Sequence, residues 1–448
     1  MGITRPDRAT PRLVGQVVLI VLVVSFLSFS FPSFAPSAAA QTPSASVPTG
    51  PPAPVQGGKP NAPPRFEWAE HPTLRFGPVT LALRARFQTD FRRSDAPFEN
   101  DFEVALKRVG VDGEIGNVLH FEVDRELDDP DKWKDVLVNY RQFDAVQLQA
   151  GKFKVPFGLD QTTSITNQSL VYRSLAGQRL APARDKGVMV HGRVVNRTIR
   201  YELGMFEHDG RTAQPSLDSD RVQAGRTLAG HVAVVPFRST DTPLSDLLVG
   251  AAFTRSDVPE GFPTIRGRTH LGALFYESDH WVKGRRERRG AEFRWRPGPF
   301  SIQAEYVRVT DQRLGQSVED GDLTPFPITG WYVLGTWAIT GERKADGVER
   351  AKRPLFQGGG GAFEIAFRVE ELKFGRVVPD ELPSTSPRAD VMVSNANRVV
   401  TAGLSWHPNR WVKVQFNLIR DTMSDPEMGP LPAQPSYWSR VLRLQFIV

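Results

Sequence analysis

From Pro78 to the C-terminus the chain repeats one pattern, in which successive residues alternate between an apolar face and a charged or polar one. In Thr80–Phe91, Leu81, Leu83, Ala85, Phe87 and Phe91 share one face, while Arg84, Arg86, Gln88 and Asp90 share the other. A period of two is the signature of a half-buried strand. It returns in Phe102–Val111, Leu119–Glu126, Val136–Phe143, Ile199–Phe206, Leu228–Phe237, Leu271–Tyr276 and Glu292–Arg296. Further examples are Ser301–Val309, Trp331–Ile339, Ala362–Glu370, Val400–Trp406 and Trp411–Leu418. The chain ends on the same pattern, with Leu442, Leu444, Phe446 and Val448 against Arg443, Gln445 and Ile447. Long segments of helical period are absent.

The charge on the polar face decides what covers the apolar one. Arg84, Arg86, Lys107, Glu122, Asp124, Arg294, Arg296, Glu364, Arg368 and Lys413 all stand opposite apolar residues. Unpaired ionised groups are prohibitively costly to bury, so this face is expected to be wet. The apolar face then meets either lipid or a second sheet. A sandwich would need domains of about 100 residues, and no domain boundary follows Pro64. The alternative is an antiparallel transmembrane β-barrel, lipid outside and water inside. Turn lengths agree with that reading. Glu114–Asn117, Asp144, Asn196–Arg197, Pro297–Pro299 and Pro408–Asn409 are short, whereas Asp209–Ala224, Thr310–Phe326, Val377–Asn397 and Thr422–Ser436 are long and polar. Barrels of this kind have short turns at one rim and long loops at the other. Trp133, Tyr140, Trp281, Trp295, Trp331, Trp406, Trp411 and Trp438 near strand ends would form the interfacial girdles. The count comes to about seventeen strands, and single-chain bacterial barrels have an even number. The weak region is Leu247–Arg296, where His280–Gly290 (HWVKGRRERRG) does not alternate cleanly.

Residues 1–40 read as an export signal. Arg5, Arg8 and Arg12 precede an apolar run over Leu13–Phe34, and Ser37–Ala40 supplies a small-residue cleavage site before Gln41. The length of the run also fits an uncleaved anchor. Residues 41–64, rich in Pro, Ala, Ser and Gly, form a flexible spacer. Residues 65–448 are then the barrel. The formal charge is +6, of which the export segment carries two units. The excess is mild and spread along the chain, unlike the clustered charge of a nucleic-acid binder. With no cysteine, disulfides, thiolate catalysis and Cys-ligated metal are excluded. The eight histidines form no HExxH, and no GxSxG, P-loop or GxGxxG occurs. His120, Glu122 and Asp124 share a strand face, which reads as a hydrated cluster. Gly358–Gly361 reads as a turn. No catalytic residue, metal site or cofactor is expected.

One stretch departs from the pattern. Phe143–Val190 opens as a strand, breaks at Pro156, runs on without a period and resumes as a strand at Gly187. Loops of that length in compact domains are functional or disordered. Phe153, Phe157, Leu170, Val171, Tyr172, Leu175 and Leu180 supply enough apolar surface to pack, which argues against disorder. Lys152, Lys154, Arg173, Arg179, Arg184 and Lys186 outnumber Asp160 and Asp185. A packed, basic loop inside a barrel is a constriction element, and low-dielectric surroundings strengthen its pull on a passing anion. By alternation, Lys152 and Lys154 share the lipid face with Val146 and Leu148. They reach the pore only if the strand ends or bulges at Gly151.

The same residues carry a family likeness. GKFKVPFGLDQTTS followed by RSL and LAPARDKGV resembles the phosphate-selective porin O/P family of Gram-negative outer membranes. Arg288–Val309, Ile328–Glu342 and Val399–Asp421 extend the resemblance over most of the chain. It implies a sixteen-stranded barrel, a homotrimer in outer-membrane lipid, and passive diffusion of phosphate or other small anions. It also implies that the loop lysines and facing arginines bind phosphate, here Lys152, Lys154, Arg173 and Arg184. The lumen residues Arg84, Arg86, Lys107 and Arg294 are further candidates. Arg suits phosphate because its planar fork engages two oxygens. Two other readings stand beside this one, a non-selective or organic-anion porin and a secreted β-rich binding or adhesion protein.

Overall fold

The computed structural model describes residues 64–448 except 69–70, 99–100, 129–132, 211–224, 278–280, 318, 345–350 and 377–392. The expected export segment and nearly all of the spacer lie outside the described residues, as do most of the loops expected over Asp209–Ala224 and Val377–Asn397. Of 18 strands in the main sheet, two form a short N-terminal hairpin and 16 close into an antiparallel barrel. The first four wall strands are β1 Val79–Ser94, β2 Phe102–Ile115, β3 Leu119–Glu126 and β4 Trp133–Tyr140. Then come β5 Gln147–Lys154, β6 Arg184–Val194, β7 Ile199–Phe206 and β8 Thr227–Val234. The third quarter is β9 Leu248–Pro263, β10 Trp281–Trp295, β11 Phe300–Arg313 and β12 Leu323–Ala338. The last is β13 Ala362–Phe374, β14 Asn395–His407, β15 Val412–Met423 and β16 Ser436–Ile447.

Closure runs from Ser439↔Ser94 to Ile447↔Arg86, so no wall strand is left with an open edge. Below the seam, the hairpin Arg65–Trp68/Pro72–Phe76 continues the pairing along the start of β1. Alternation maps onto the wall as expected. On β16, Leu442, Leu444 and Phe446 are exposed outward, and Arg443 and Gln445 are buried inward. The inward charges are paired: Arg443 grips Asp90 across the seam with two bonds of 2.6 Å. No helix of the described residues is long and apolar enough to cross a membrane.

Three expectations are corrected. Leu271–Tyr276 is not a wall strand. Residues 264–277 leave the wall after β9, and Gly267–Arg268 pairs with Leu274–Tyr276 in a small separate hairpin. Its apolar residues Phe275 and Tyr276 are fully buried in the barrel's internal core, where they imitate lipid-facing ones. Glu292–Arg296 is only the end of β10, which takes in most of the basic run. Alternation is masked there because Arg285 and Arg289 face outward while Arg286 and Arg288 face inward, so both faces are charged. Gly284, at φ 112, and a register shift between Lys283 and Arg286 break the period further. Finally, Lys107 is not a lumen residue. It pairs with outward-facing Phe87, and its neighbour Arg108 takes the inward position. Lys107 instead bonds Asp128 near the loop rim.

Candidate functional site

The periodless stretch turns into the barrel. Residues 155–183 leave the wall at the end of β5 and form a short helix (Leu159–Thr162), a 3-10 turn (Ile165–Asn167) and a π turn (Ala176–Leu180) before joining β6. Phe157, Val171, Leu175, Ala176 and Leu180 pack with Ile265, Phe275 and Tyr276 of the second inward loop and with Phe326, Ile328, Leu372 and Phe374 of the wall. This is the only large apolar core among the described residues, and it lies inside the lumen. A segment with so much buried apolar surface is fixed in place.

Polar anchors staple the first loop to one arc of the wall. Asn417 accepts from Val171 N at 2.8 Å, Arg443 donates to Val171 O at 2.8 Å, and Gln415 donates to Ser169 O at 3.1 Å. Arg368 donates to Tyr172 O at 2.9 Å, and Glu370 accepts from Leu175 N. Arg288 donates to Leu180 O at 2.7 Å, and Glu305 caps the short helix through the N–H groups of Leu159 and Asp160. All of these anchors lie on β10, β11, β13, β15 and β16.

On the arc β1–β6, inward charges pair mostly with one another. Arg84 reaches Glu122 at 2.5 Å and Asp112 at 3.4 Å, and Arg86 reaches Asp124 at 2.9 Å. Arg108 bonds Glu126 at 3.0 Å, and Arg184 grips Asp135 through two bonds of 3.0 and 2.6 Å. Two cations at the loop root are held differently. Lys154 donates to the carbonyls of Thr162 and Thr163 at 2.8 and 2.9 Å, and Arg173 to those of Asp160 and Thr163. Carbonyls orient a cation without cancelling its charge. Burial is the main influence drawing Arg173 down to about 10, helped by Arg184 and Arg108, and it stays cationic at neutral pH. Arg179, likewise lowered to about 10 by burial and then Arg268, bonds the carbonyls of Arg268 and Thr269.

Of the candidates read from the sequence, Lys154, Arg173 and Arg184 come together at the loop root. Arg84 and Arg86 stand beside them on the wall. Arg294 faces inward far off, near the tight turns, 3.9 Å from Asp246. Lys152 lies in register between outward-exposed Val136 and Lys186, apart from the others. Contrary to the expected break or bulge, the register runs unbroken through Gly151, and Lys154, the last residue of β5, is buried and turned inward against the lipid parity. Sequence reading missed Arg108, whose inward parity followed from β2 once Lys107 was turned outward. It also missed the second inward loop, whose apolar residues looked like wall.

A family model described as phosphate-selective porin O and P matches residues 81–447. Porin O of Pseudomonas aeruginosa is 24% identical over 383 residues, covering 76% of this chain and 82% of that one. Among solved structures, OmpT of Vibrio cholerae superposes with a TM-score of 0.51 at 12% identity, covering 84% of this chain and 100% of that one. The outer-membrane channel DcaP of Acinetobacter baumannii gives 0.51 at 9% identity, covering 83% and 97%. At such identities the structures support the fold alone.

Proposed function

We propose, since the chain belongs to the phosphate-selective porin O and P family, that its pore prefers small anions and binds phosphate at the root of the inward loop. The protein is an outer-membrane, porin-type channel of a Gram-negative-type bacterium and not an enzyme. The solute and its ligands are what is proposed. One observation carries the reading: Lys154 and Arg173, oriented by carbonyls, gather with Arg184 where the loop leaves the wall. A dehydrating anion gains most from cations whose charge is not spent on a carboxylate. A second reading, a porin for organic anions that also carry positive groups, draws support from Glu122, Asp124 and Asp135 interleaved with these cations.

Refolded protein in planar bilayers, with phosphate titrated into KCl, separates the two. Phosphate is expected to block the chloride current. Lys154→Gln and Arg173→Gln each raise the half-blocking concentration about tenfold, the loss of one hydrogen bond to a charged group. Lys152→Gln, on the outward row, leaves it unchanged. Conduction without block would retire phosphate and leave the channel. Two further expectations complete the proposal. Residues 1–40 are removed on export, so sequencing of outer-membrane material begins at Gln41, and a start at Met1 would mean an anchor. The channel assembles as a homotrimer, which mass photometry in detergent reads directly.

A further inference from the structure

The outer face of β10–β13 carries a row of cations where apolar residues would suit a lipid-facing wall. Pairing aligns Arg289 with Arg308, Arg308 with Thr329, and Thr329 with Lys373. Arg289, Arg308 and Lys373 are all exposed. Arg289 contacts Glu287 only at 3.6 Å and is 72% exposed, so that pair is weak. Glu287, Arg289, Arg308 and Thr310 line one shallow concavity on this face.

The depth of the row follows from its neighbours. One step towards the tight-turn rim, Tyr306 pairs with Trp331, an aromatic pair of the kind that marks a membrane–water interface. Below them come Val333, Phe367, Ile302 and Ile365, all exposed, ending at the stacked pair Phe300–Trp337. Trp331 to Trp337 is about 20 Å along an extended strand, close to the apolar band of such barrels. Arg289, Arg308 and Lys373 therefore stand just above the hydrocarbon, on the long-loop side, at headgroup level. Cations there meet headgroup phosphates, and the Arg fork and the neighbouring Thr hydroxyls suit phosphate oxygens.

We infer that the Arg289–Arg308–Lys373 row, with Thr310 and Thr329, is a seat for the phosphorylated headgroup of a glycolipid in the outer leaflet. It rests on the barrel and its membrane, and not on which anion the pore prefers. The test uses native mass spectrometry of the folded protein in detergent, titrated with a bis-phosphorylated glucosamine lipid, phosphatidylcholine or inorganic phosphate. Wild type is expected to retain the phosphorylated glycolipid over phosphatidylcholine. Arg289→Gln/Arg308→Gln/Lys373→Gln should weaken that retention about a hundredfold, the summed loss of three cations at an anionic surface. Single-channel conductance and phosphate block, governed by the lumen, should not change. Arg308→Gln alone, a milder change to the wall, should weaken retention about fivefold. Equal retention by wild type and the triple variant overturns the proposal. So does displacement of the lipid by equimolar inorganic phosphate, or a variant whose oligomeric state changes, which would make the row a subunit contact.

Discussion

Replacing Asp209 with alanine is expected to lower the unfolding free energy of the barrel by about 3–5 kcal/mol, the cost of breaking a buried ion network by removing one partner. Asp209 follows β7 and is fully buried. Its carboxylate takes a 3.1 Å bond from Arg286 and bonds Arg288 through both oxygens, one of them at 2.9 Å. Arg286 also forks onto Asp311 with bonds of 2.6 and 2.8 Å. Two guanidiniums with no exposed surface would thus lose one of two carboxylates. Asp209 also accepts from Ser256 at 2.6 Å, so one side chain ties β9 to β10, and Arg286 carries the tie on to β11. Burial works against the ionised form, but Arg288 and Arg286 outweigh it and hold the Asp209 carboxyl below its ordinary value near 3.8. A depressed folded-state value means that the stabilisation is complete above the unfolded value and is lost as pH falls through the folded one. The difference between wild type and Asp209→Ala should therefore shrink only below about pH 4. Urea midpoints of gel mobility, taken at pH 7 and pH 3, read both effects. An unchanged midpoint at pH 7 would show that the network contributes nothing net.

The second large effect is expected at Glu370→Ala, as a pore that conducts more and flickers. Glu370 on β13 accepts from Leu175 N of the first inward loop and bonds His270 of the second at 2.9 Å. It also pairs with Arg368 at 2.8 Å, and Arg368 holds Tyr172 O and Arg173 O. Tyr172 stacks on His270 with ring centroids 5.5 Å apart, joining the two loops directly. Alanine would remove the Glu370 anchor of both loops, leaving Arg368 as their remaining hold on β13 and burying it without its carboxylate, at about 3–5 kcal/mol. The anchors at Asn417, Gln415 and Arg443 remain, so the loop should loosen rather than leave the lumen. Single-channel recordings should show larger, noisier steps and weaker phosphate block, because the loop that carries Arg173 would be fixed less firmly beside Arg184. Steps of wild-type size and noise would show that the apolar core alone fixes the loop.

Much of this architecture was legible in the residues. Strict alternation with ionised side chains on one face admits few solutions, because neither lipid nor a dry core accepts those charges unpaired, and a closed barrel satisfies both faces at once. The long break after Lys154 showed as a loop with too much apolar and basic character to be idle. The sequence reading failed where contrast between faces vanished. In β10 the exposed outward row is basic and the inward row is basic in a buried network, so Arg285–Arg289 showed no period. In residues 264–277 Phe275 and Tyr276 look the same whether they meet lipid or another loop.

Local pattern, then, determined the fold class, the rims, the inward charged face and the segment that turns into the barrel, since each depends only on residues close in the chain. Partnership was decided by the tertiary structure. Asp90 meets Arg443 across the closing seam, Asp209 meets Arg286 and Arg288, and Glu370 meets both inward loops. Whether a lumen cation is gripped by a carboxylate, as at Arg184, or hydrogen-bonded to carbonyls, as at Lys154 and Arg173, depends on groups brought together by closure. A charge's worth to a passing anion is set by its neighbours within a few ångströms, and those neighbours come from distant parts of the chain.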